Sequence, residues 1–404
     1  MINAELCVRC KGYKRLCGLP KCPILEKVRA TMEATARIAG LEVSGSTPPT
    51  AVVGEKGYPF VPIIVGVPPG VKGESAKIYD NPQGWWGRLG LADILRLRGY
   101  QVSSIMRLNV SEPFTLYEKE VGVAAISARP VDTEVVLKRL PHPITRLDPF
   151  VGATGPAAPA KEVRVVGNAS LPKKLEEIIW DDVSVEEAVS ELIRGRVDTY
   201  SIIRAMSLGF LGRIRRRKLV PTRWAITAVD RAAVKFFLGR LRDRPSIDGV
   251  SVHVLEYLMN RFYIILYPGN YHVEWLEVWR PRTGLTEKTS SSVIIYSRDY
   301  GTGRTNTLDG GFDAARHGLV RALYERGRKA SVIIIRIIEP GYVVGVGNWH
   351  IRETVYRAAR SEGIVFKELS DVLTWIAEVE GGNVAGALRK VVSVSQRSLD
   401  TFEK

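Results

Sequence analysis

The chain has 404 residues and a mass of 44.8 kDa, with 45% apolar and 25% charged residues, a net charge of +15 and a pI near 9.7. That length and balance describe a globular protein of one large or two medium domains with ample core, and no stretch approaches the roughly 18 uninterrupted apolar residues that a membrane span needs. The positive balance favours polyanionic partners, and Met1 to Glu5 open no secretory signal, so a cytoplasmic protein is expected.

All four cysteines fall in the first 22 residues as Cys7-x2-Cys10-x6-Cys17-x4-Cys22, with Gly12, Gly18 and Pro20 between them. Four thiolates this close along a chain can surround one tetrahedral ion, so a zinc knuckle over residues 1–25 leads; an iron-sulfur centre and a pair of disulfides are the alternatives. Arg9, Lys11, Lys14, Arg15 and Lys21 would offset the charge of a four-thiolate site. An amphipathic helix is expected from Leu25 to Ala39, then a Gly/Pro-rich loop, strands at Phe60 to Val67 and Val121 to Ala128, and a helix from Leu89 to Leu97. Trp85 and Trp86, in the turn Asn81 to Gly87, are expected to cap a core, with base stacking as the second reading. Val151 to Ala160 reads as a flexible excursion or internal boundary.

From Arg194 to Arg244, fourteen Lys or Arg stand against only Asp198, Asp230 and Asp243. The densest part, Arg213, Arg215, Arg216, Arg217 and Lys218, lies between Gly212 and Pro221 and is expected as a loop or fraying helix end that neutralises several phosphates of DNA or RNA; a solvated basic face is the competing reading. Helical patterns at Val185 to Arg194 and Arg231 to Leu241 lead into strands around Val250 to Leu255, Arg261 to Tyr267 and Tyr271 to Trp279. Strand, helix, strand, helix then follow at Val293 to Tyr296, Asp313 to Gly327, Ser331 to Ile338 and His350 to Ser361, an alternation that argues for α/β packing. No repeat and no G-x-x-x-x-G-K-[ST] loop is present, so P-loop ATPase or helicase activity is not expected.

Three polar clusters carry candidate chemistry. His272 and Glu274 share one face of a strand, read first as a solvent-facing strand of alternating polar and apolar residues and second as acid, base or metal ligands, although zinc-deaminase chemistry is excluded because no cysteine follows Cys22. The loop from Arg298 to Gly311 has the glycines, hydroxyls and arginines of an anion cradle and enters a helix on which Asp313 and His317 share a face, as an acid-base pair or, in the plainer and leading reading, as a carboxylate at the helix start and a half-buried polar histidine. His350 and Glu353 form the third cluster, with a helix cap and surface ion pair as the bland reading. His272, Glu274, Asp309, Asp313 and His317 make one candidate catalytic set if they meet in a single cleft; no nucleophile is identifiable, and enzymatic activity stays open.

At the C-terminus Gln396, Leu399 and Phe402 carry the Q-x-x-L-x-x-F spacing of peptides that hook onto the DNA sliding clamp, placing two apolar anchors on one face of a short turn and an amide in a side pocket. Glu403 stands where such peptides usually carry a second aromatic. Together with the cysteine knuckle, Tyr58-Pro-Phe-Val-Pro62, Asn81-Pro-Gln-Gly-Trp-Trp-Gly87, His272-Val-Glu-Trp275 and Asp309-Gly-Gly-Phe-Asp-Ala-Ala-Arg-His317, the chain resembles the archaeal Nre family of DNA repair proteins over essentially its whole length. The resemblance implies a role in the DNA damage response through the sliding clamp, with Cys7, Cys10, Cys17 and Cys22 as the metal knuckle and no family catalytic residues to carry over. The expected fold is mixed α/β (α+β): the knuckle at 1–25, an N-terminal family domain at 26–283 on a large mixed sheet, a C-terminal α/β domain at 284–392 and a flexible clamp-binding tail at 393–404. Such a protein would work in the cytoplasm at the nucleoid with DNA, clamp and zinc as ligands and no membrane partner. An enzyme acting on a nucleic-acid or nucleotide-like substrate, and an RNA- or ribosome-associated zinc module, are the alternatives.

Overall fold

Two six-stranded mixed sheets, each with a single parallel pair, organise this α/β chain. The computed structural model describes residues 7, 9–38, 40–142, 155–283, 286, 290–301, 305, 309–389 and 391. These form two compact units, one of residues up to 233 with 344–349, the other of 234–343 with the residues from 350 onward.

The first unit holds β1 (Glu42–Thr47), β2 (Val52–Val53), β3 (Phe60–Val67), β4 (Val102–Asn109), β5 (Val131–Leu137) and β6 (Ala157–Val165), in the order β1-β5-β6-β4-β3-β2. Strict alternation buries Val61, Ile63, Val65 and Val67 of β3 on one face, the pattern of a sheet with one fully packed side. Helix α1 (Pro23–Ala36) starts with proline at its first position, where no N–H is required, and sets Ala30 and Ala34 among Val43, Val67 and Val102. Further along lie α2 (Leu91–Tyr100), α3 (Lys173–Ile179), α4 (Val185–Arg194), α5 (Thr199–Ser207) and α6 (Thr222–Leu241), within which the two units divide. Ser184 and Glu187 close a reciprocal cap at the start of α4, and Leu175, Ile178, Val189, Leu192 and Ile202 join Ile63 and Phe210 in one core.

Two expectations fail in this unit for identifiable reasons. Val121–Ala125 is a helical turn instead of a strand: Glu120 enters it with φ of 58°, and Gly122 lies so close to Phe210 that a Cβ would stand 2.7 Å from the ring. The Ala/Pro segment after residue 156 is strand β6 and not an excursion. Pro159 is tolerated there because it sits where β6 changes partner, from parallel pairing with β4 at 157–159 to antiparallel pairing with β5, across a register shift at Val136/Leu137.

In the second unit β7 (Val250–Tyr257), β8 (Asn260–Tyr267), β9 (His272–Trp279), β10 (Val293–Asp299), β11 (Ser331–Ile338) and β12 (Ile364–Phe366) take the order β10-β9-β11-β8-β7-β12. All eight residues of β11 are buried, which is why its sequence is apolar on both faces apart from Ser331 at its start and Arg336, whose charge is met by Glu277. Helices α7 (Gly310–Arg326), α8 (Trp349–Ala358) and α9 (Leu369–Glu380) belong with this sheet. Val372 and Ile376 of α9 cover one face, while Phe312 of α7 stacks on Trp275 on the other. Gly318 lets α7 approach α8 backbone to backbone, since a Cβ there would stand 2.3 Å from the Arg352 carbonyl oxygen. Strands β8 and β9 precede residue 283 and pair with β11, which follows it, and the compact units divide between residues 233 and 234. Among the described residues no helix is long and apolar enough to cross a membrane.

Candidate nucleic-acid interface

The basic run forms a single 3-10 turn, Ile214–Arg216, after Gly212, whose φ of 101° only glycine adopts without strain. Four cations, Arg213, Arg215, Arg216 and Lys218, are exposed, and among the described residues Arg215, Arg216 and Lys218 form no salt bridge. Arg217 behaves differently and is removed from the predicted phosphate-binding set. Only 5% exposed, it donates from Nε to the Gly212 carbonyl at 2.7 Å, from Nη2 to the Asp181 carbonyl at 2.6 Å and from Nη1 to the Ile179 carbonyl. Its guanidinium also lies 5.7 Å from the Phe114 ring, and burial lowers its pKa against the pull of Asp182 and Asp181. The Ile214 amide donates to Asp182 Oδ1 at 2.7 Å, so the loop is pinned to the segment following α3. Pinning matters because a preordered cationic loop loses less conformational freedom on binding a polyanion.

Exposed aromatics accompany this loop. Trp180, 56% exposed, rests against Phe114 and Tyr117 with centroids 5.8 and 5.1 Å away, and Trp224, 58% exposed, stands on the first turn of α6. Neither is among the site residues expected from the sequence; Trp224 follows the basic run closely enough for its position to have been a signal, whereas Trp180 is brought to it only by the fold, through the Ile179 and Asp181 carbonyls that hold Arg217. Of the two tryptophans expected to cap a core, Trp86 is half-buried, and Trp85 is fully buried, donates to the Ile78 carbonyl and packs edge-on against Trp349 at 5.7 Å, so Trp85 serves the core.

Around the cysteines, left-handed backbone at Lys11, Gly12, Arg15 and Gly18 makes a succession of tight turns. Backbone N–H groups, chiefly that of Leu16, point at the Cys10 sulfur and lower its pKa against burial, which suits a thiolate ligand. Cys22 is the N-cap residue of α1, and Cys10, Cys17 and Cys22 form no disulfide. Among the described residues no group of three or more His, Cys, Asp or Glu side chains converges on one metal position.

The proposed catalytic set does not meet. His272 and Glu274 lie on the face of β9 that carries Leu276 and Val278 towards α9. Glu274 is fully buried; its Oε1 lies 2.7 Å from His272 Nε2, and its other oxygen accepts from the Tyr296 hydroxyl. Burial, with Glu274 beside it, raises the Tyr296 pKa and keeps the phenol protonated. His272 stacks on Tyr300 at 5.7 Å. Asp313 and His317 are buried on α7, which packs on the opposite face of the same sheet. There Arg316, with no exposed surface, joins Asp299 at 2.6 Å to Asp313 at 3.0 Å, while His317 packs 6.2 Å from Phe237. Asp309 caps α7 by accepting from the Gly311 amide at 2.8 Å. A sheet therefore separates the two halves of the expected acid-base cleft, and a shared site is not formed. Most of the glycine-rich loop before Asp309, including 302–304 and 306–308, lies outside the described residues. The third cluster is internal and not a surface pair: His350 is 1% and Glu353 5% exposed, and His350 Nε2 lies 3.2 Å from Arg336 Nη2. The clamp-binding positions Gln396, Leu399 and Phe402 also lie outside the described residues.

Two family models match the chain: archaeal Nre, N-terminal, over residues 16–286, and archaeal Nre, C-terminal, over 299–402. Among curated proteins it is similar to DNA repair protein NreA of Archaeoglobus fulgidus, 33% identical over 91% of this chain and 92% of that protein. DNA repair protein NreB of the same organism is 32% identical over 98% of this chain and 99% of its own. DNA repair protein NreA of Haloferax volcanii is 28% identical over 94% and 92%. No solved structure matches the chain.

Proposed function

Because the chain belongs to the archaeal Nre family, we propose that it is a DNA repair factor that holds DNA on the exposed cations Arg213, Arg215, Arg216 and Lys218 and is recruited to the sliding clamp by Gln396, Leu399 and Phe402. The observation that carries the DNA contact is the pinned basic loop: four exposed cations fixed by a fifth, Arg217, with Trp180 and Trp224 available to stack on bases. The recruitment rests on the terminal Q-x-x-L-x-x-F spacing and on relatives named for DNA repair that span over nine-tenths of the chain. Zinc at Cys7, Cys10, Cys17 and Cys22 belongs to the same reading, supported by the cysteine spacing and the amide groups around Cys10. With its histidines and carboxylates divided between two faces of a sheet, the chain offers the enzyme reading no common cleft from that set.

The test is the salt dependence of affinity for duplex DNA. Four phosphate contacts predict a slope of about −3.6 in log K against log salt, and the triple change Arg213→Ala, Arg215→Ala, Arg216→Ala should reduce its magnitude by about 2.7. An unchanged slope removes the loop from the interface, and tighter binding of structured RNA than of DNA favours the RNA-associated reading.

A further inference from the structure

A cavity of about 580 Å³ opens in the first unit, away from every residue assigned above, where the 3-10 turn Gly73–Asp80, the start of α3, the α4–α5 connection and α5 come together. Its charges do not cancel. Lys174 is occupied by Glu177 and Glu191 at 3.4 and 3.8 Å, Asp80 lies 4.0 Å from Arg98, and Asp198 caps α5 by accepting from the Ser201 amide at 2.8 Å. What remains is positive: Lys77, Lys173 and Arg196 are exposed around the cavity with no salt bridge among the described residues, and Arg204 lines it from within.

Arg204 is the telling residue. Its side chain is 12% exposed, yet among the described residues its guanidinium donates only from Nη2 to Ser201 Oγ at 2.9 Å, with Asp198 Oδ2 at 3.8 Å. Nε is sealed from solvent without an acceptor, and Asp198 Oδ1 is likewise sealed without a donor. A buried cation this poorly satisfied beside a cavity is a group whose partners come from a ligand. The volume is that of a small-molecule site and well above what a lone phosphate fills, and Tyr200 and Pro82 contribute flat apolar surface for a base or sugar.

We propose that this cavity binds one phosphate-bearing nucleotide unit, either a free nucleotide or the phosphorylated end of a strand, with Arg204, Arg196 and Lys173 on the phosphate and Asp198 taking a hydroxyl or amino donor. The strand-end form rests on the proposed DNA contact at the basic loop; the free-nucleotide form does not. The two places are linked by α3, which begins at Lys173 in the cavity wall and ends at Ile179, whose carbonyl holds Arg217. Seven residues of helix span about 10 Å, roughly three stacked nucleotides.

Calorimetry on the full-length protein tests this with a deoxynucleoside 5′-monophosphate, the uncharged nucleoside, inorganic phosphate, and short oligonucleotides with and without a 5′-phosphate. The monophosphate or the phosphorylated end should bind, with at least tenfold loss in Arg204→Gln and in the exposed pair Lys173→Ala, Arg196→Ala, which leaves the interior untouched. Asp198→Asn keeps the helix cap while replacing the acceptor, and should weaken the nucleotide more than inorganic phosphate. The basic-loop triple variant should bind the free monophosphate normally even where it fails on duplex DNA, so loss of one reading is distinguishable from loss of the other. No binding of any phosphate-bearing species, equal binding of nucleotide and inorganic phosphate, or full affinity in the Lys173/Arg196 pair would each overturn the assignment.

Discussion

Replacing Arg217 by methionine separates an anchor from a contact. The change removes donors from three carbonyls, those of Gly212, Ile179 and Asp181, at a position only 5% exposed. Hydrogen bonds from a charged donor are worth about 1.5–3 kcal/mol each, but the freed carbonyls regain water and methionine refills part of the volume, leaving a net cost of about 2–4 kcal/mol. For a unit of this size that is a fall of roughly 5–15 °C in Tm. DNA affinity should drop about three- to tenfold because the loop must be ordered on binding, while the salt slope stays put, since no phosphate contact is lost. Arg216→Ala, at an exposed position, should do the reverse: Tm within about 2 °C of the parent and a slope smaller by about 0.9. Thermal melting paired with fluorescence anisotropy over a salt series reads both. If Arg217→Met left Tm unchanged and took a full unit from the slope, the inward assignment of that side chain would be wrong.

In the second unit Arg316→Met strands the buried carboxylates of Asp299 and Asp313 and should cost about 3–5 kcal/mol in urea unfolding, partly recovered when both aspartates become asparagine. His253, held between the Ser361 carbonyl at 2.9 Å and Ser251 Oγ at 3.1 Å, has its pKa lowered by burial and by Arg326. Its unfolded form therefore takes up a proton first, so the stability it contributes is present above its unfolded pKa of about 6.5 and is lost as pH falls through the folded value; His253→Asn should flatten that part of a Tm-against-pH curve. Elemental analysis of the purified protein should find one zinc per chain, reduced in Cys10→Ser, whereas iron with labile sulfide would replace zinc by the alternative cluster. Deleting Gln396 to Lys404 should abolish capture on immobilised clamp without altering the DNA salt slope; undiminished capture would discard the tail as the hook.

Local sequence was sufficient wherever short-range physics decides. The run Ser331 to Ile338, apolar but for Ser331 and Arg336, marked a strand because a strand buried on both faces has little polar side to show, and Ser184 with Glu187 opened α4 where the pattern begins. Family membership, too, was readable from dispersed motifs. Tertiary structure alone decided what each charged side chain does, because that depends on which distant segment covers it. Five neighbouring cations look alike in the chain, and only the carbonyls of Ile179 and Asp181, nearly forty residues earlier, draw Arg217 inward and leave the other four in solvent. His272 and Asp313 belong to one candidate set in the sequence until folding puts His272 on one face of the second sheet and α7 on the other, and Arg204 is one arginine among fourteen cations until folding sets it beside a cavity. Propensity and periodicity act over a few residues, whereas burial and partnership are set by chain segments that meet only once the sheets have formed.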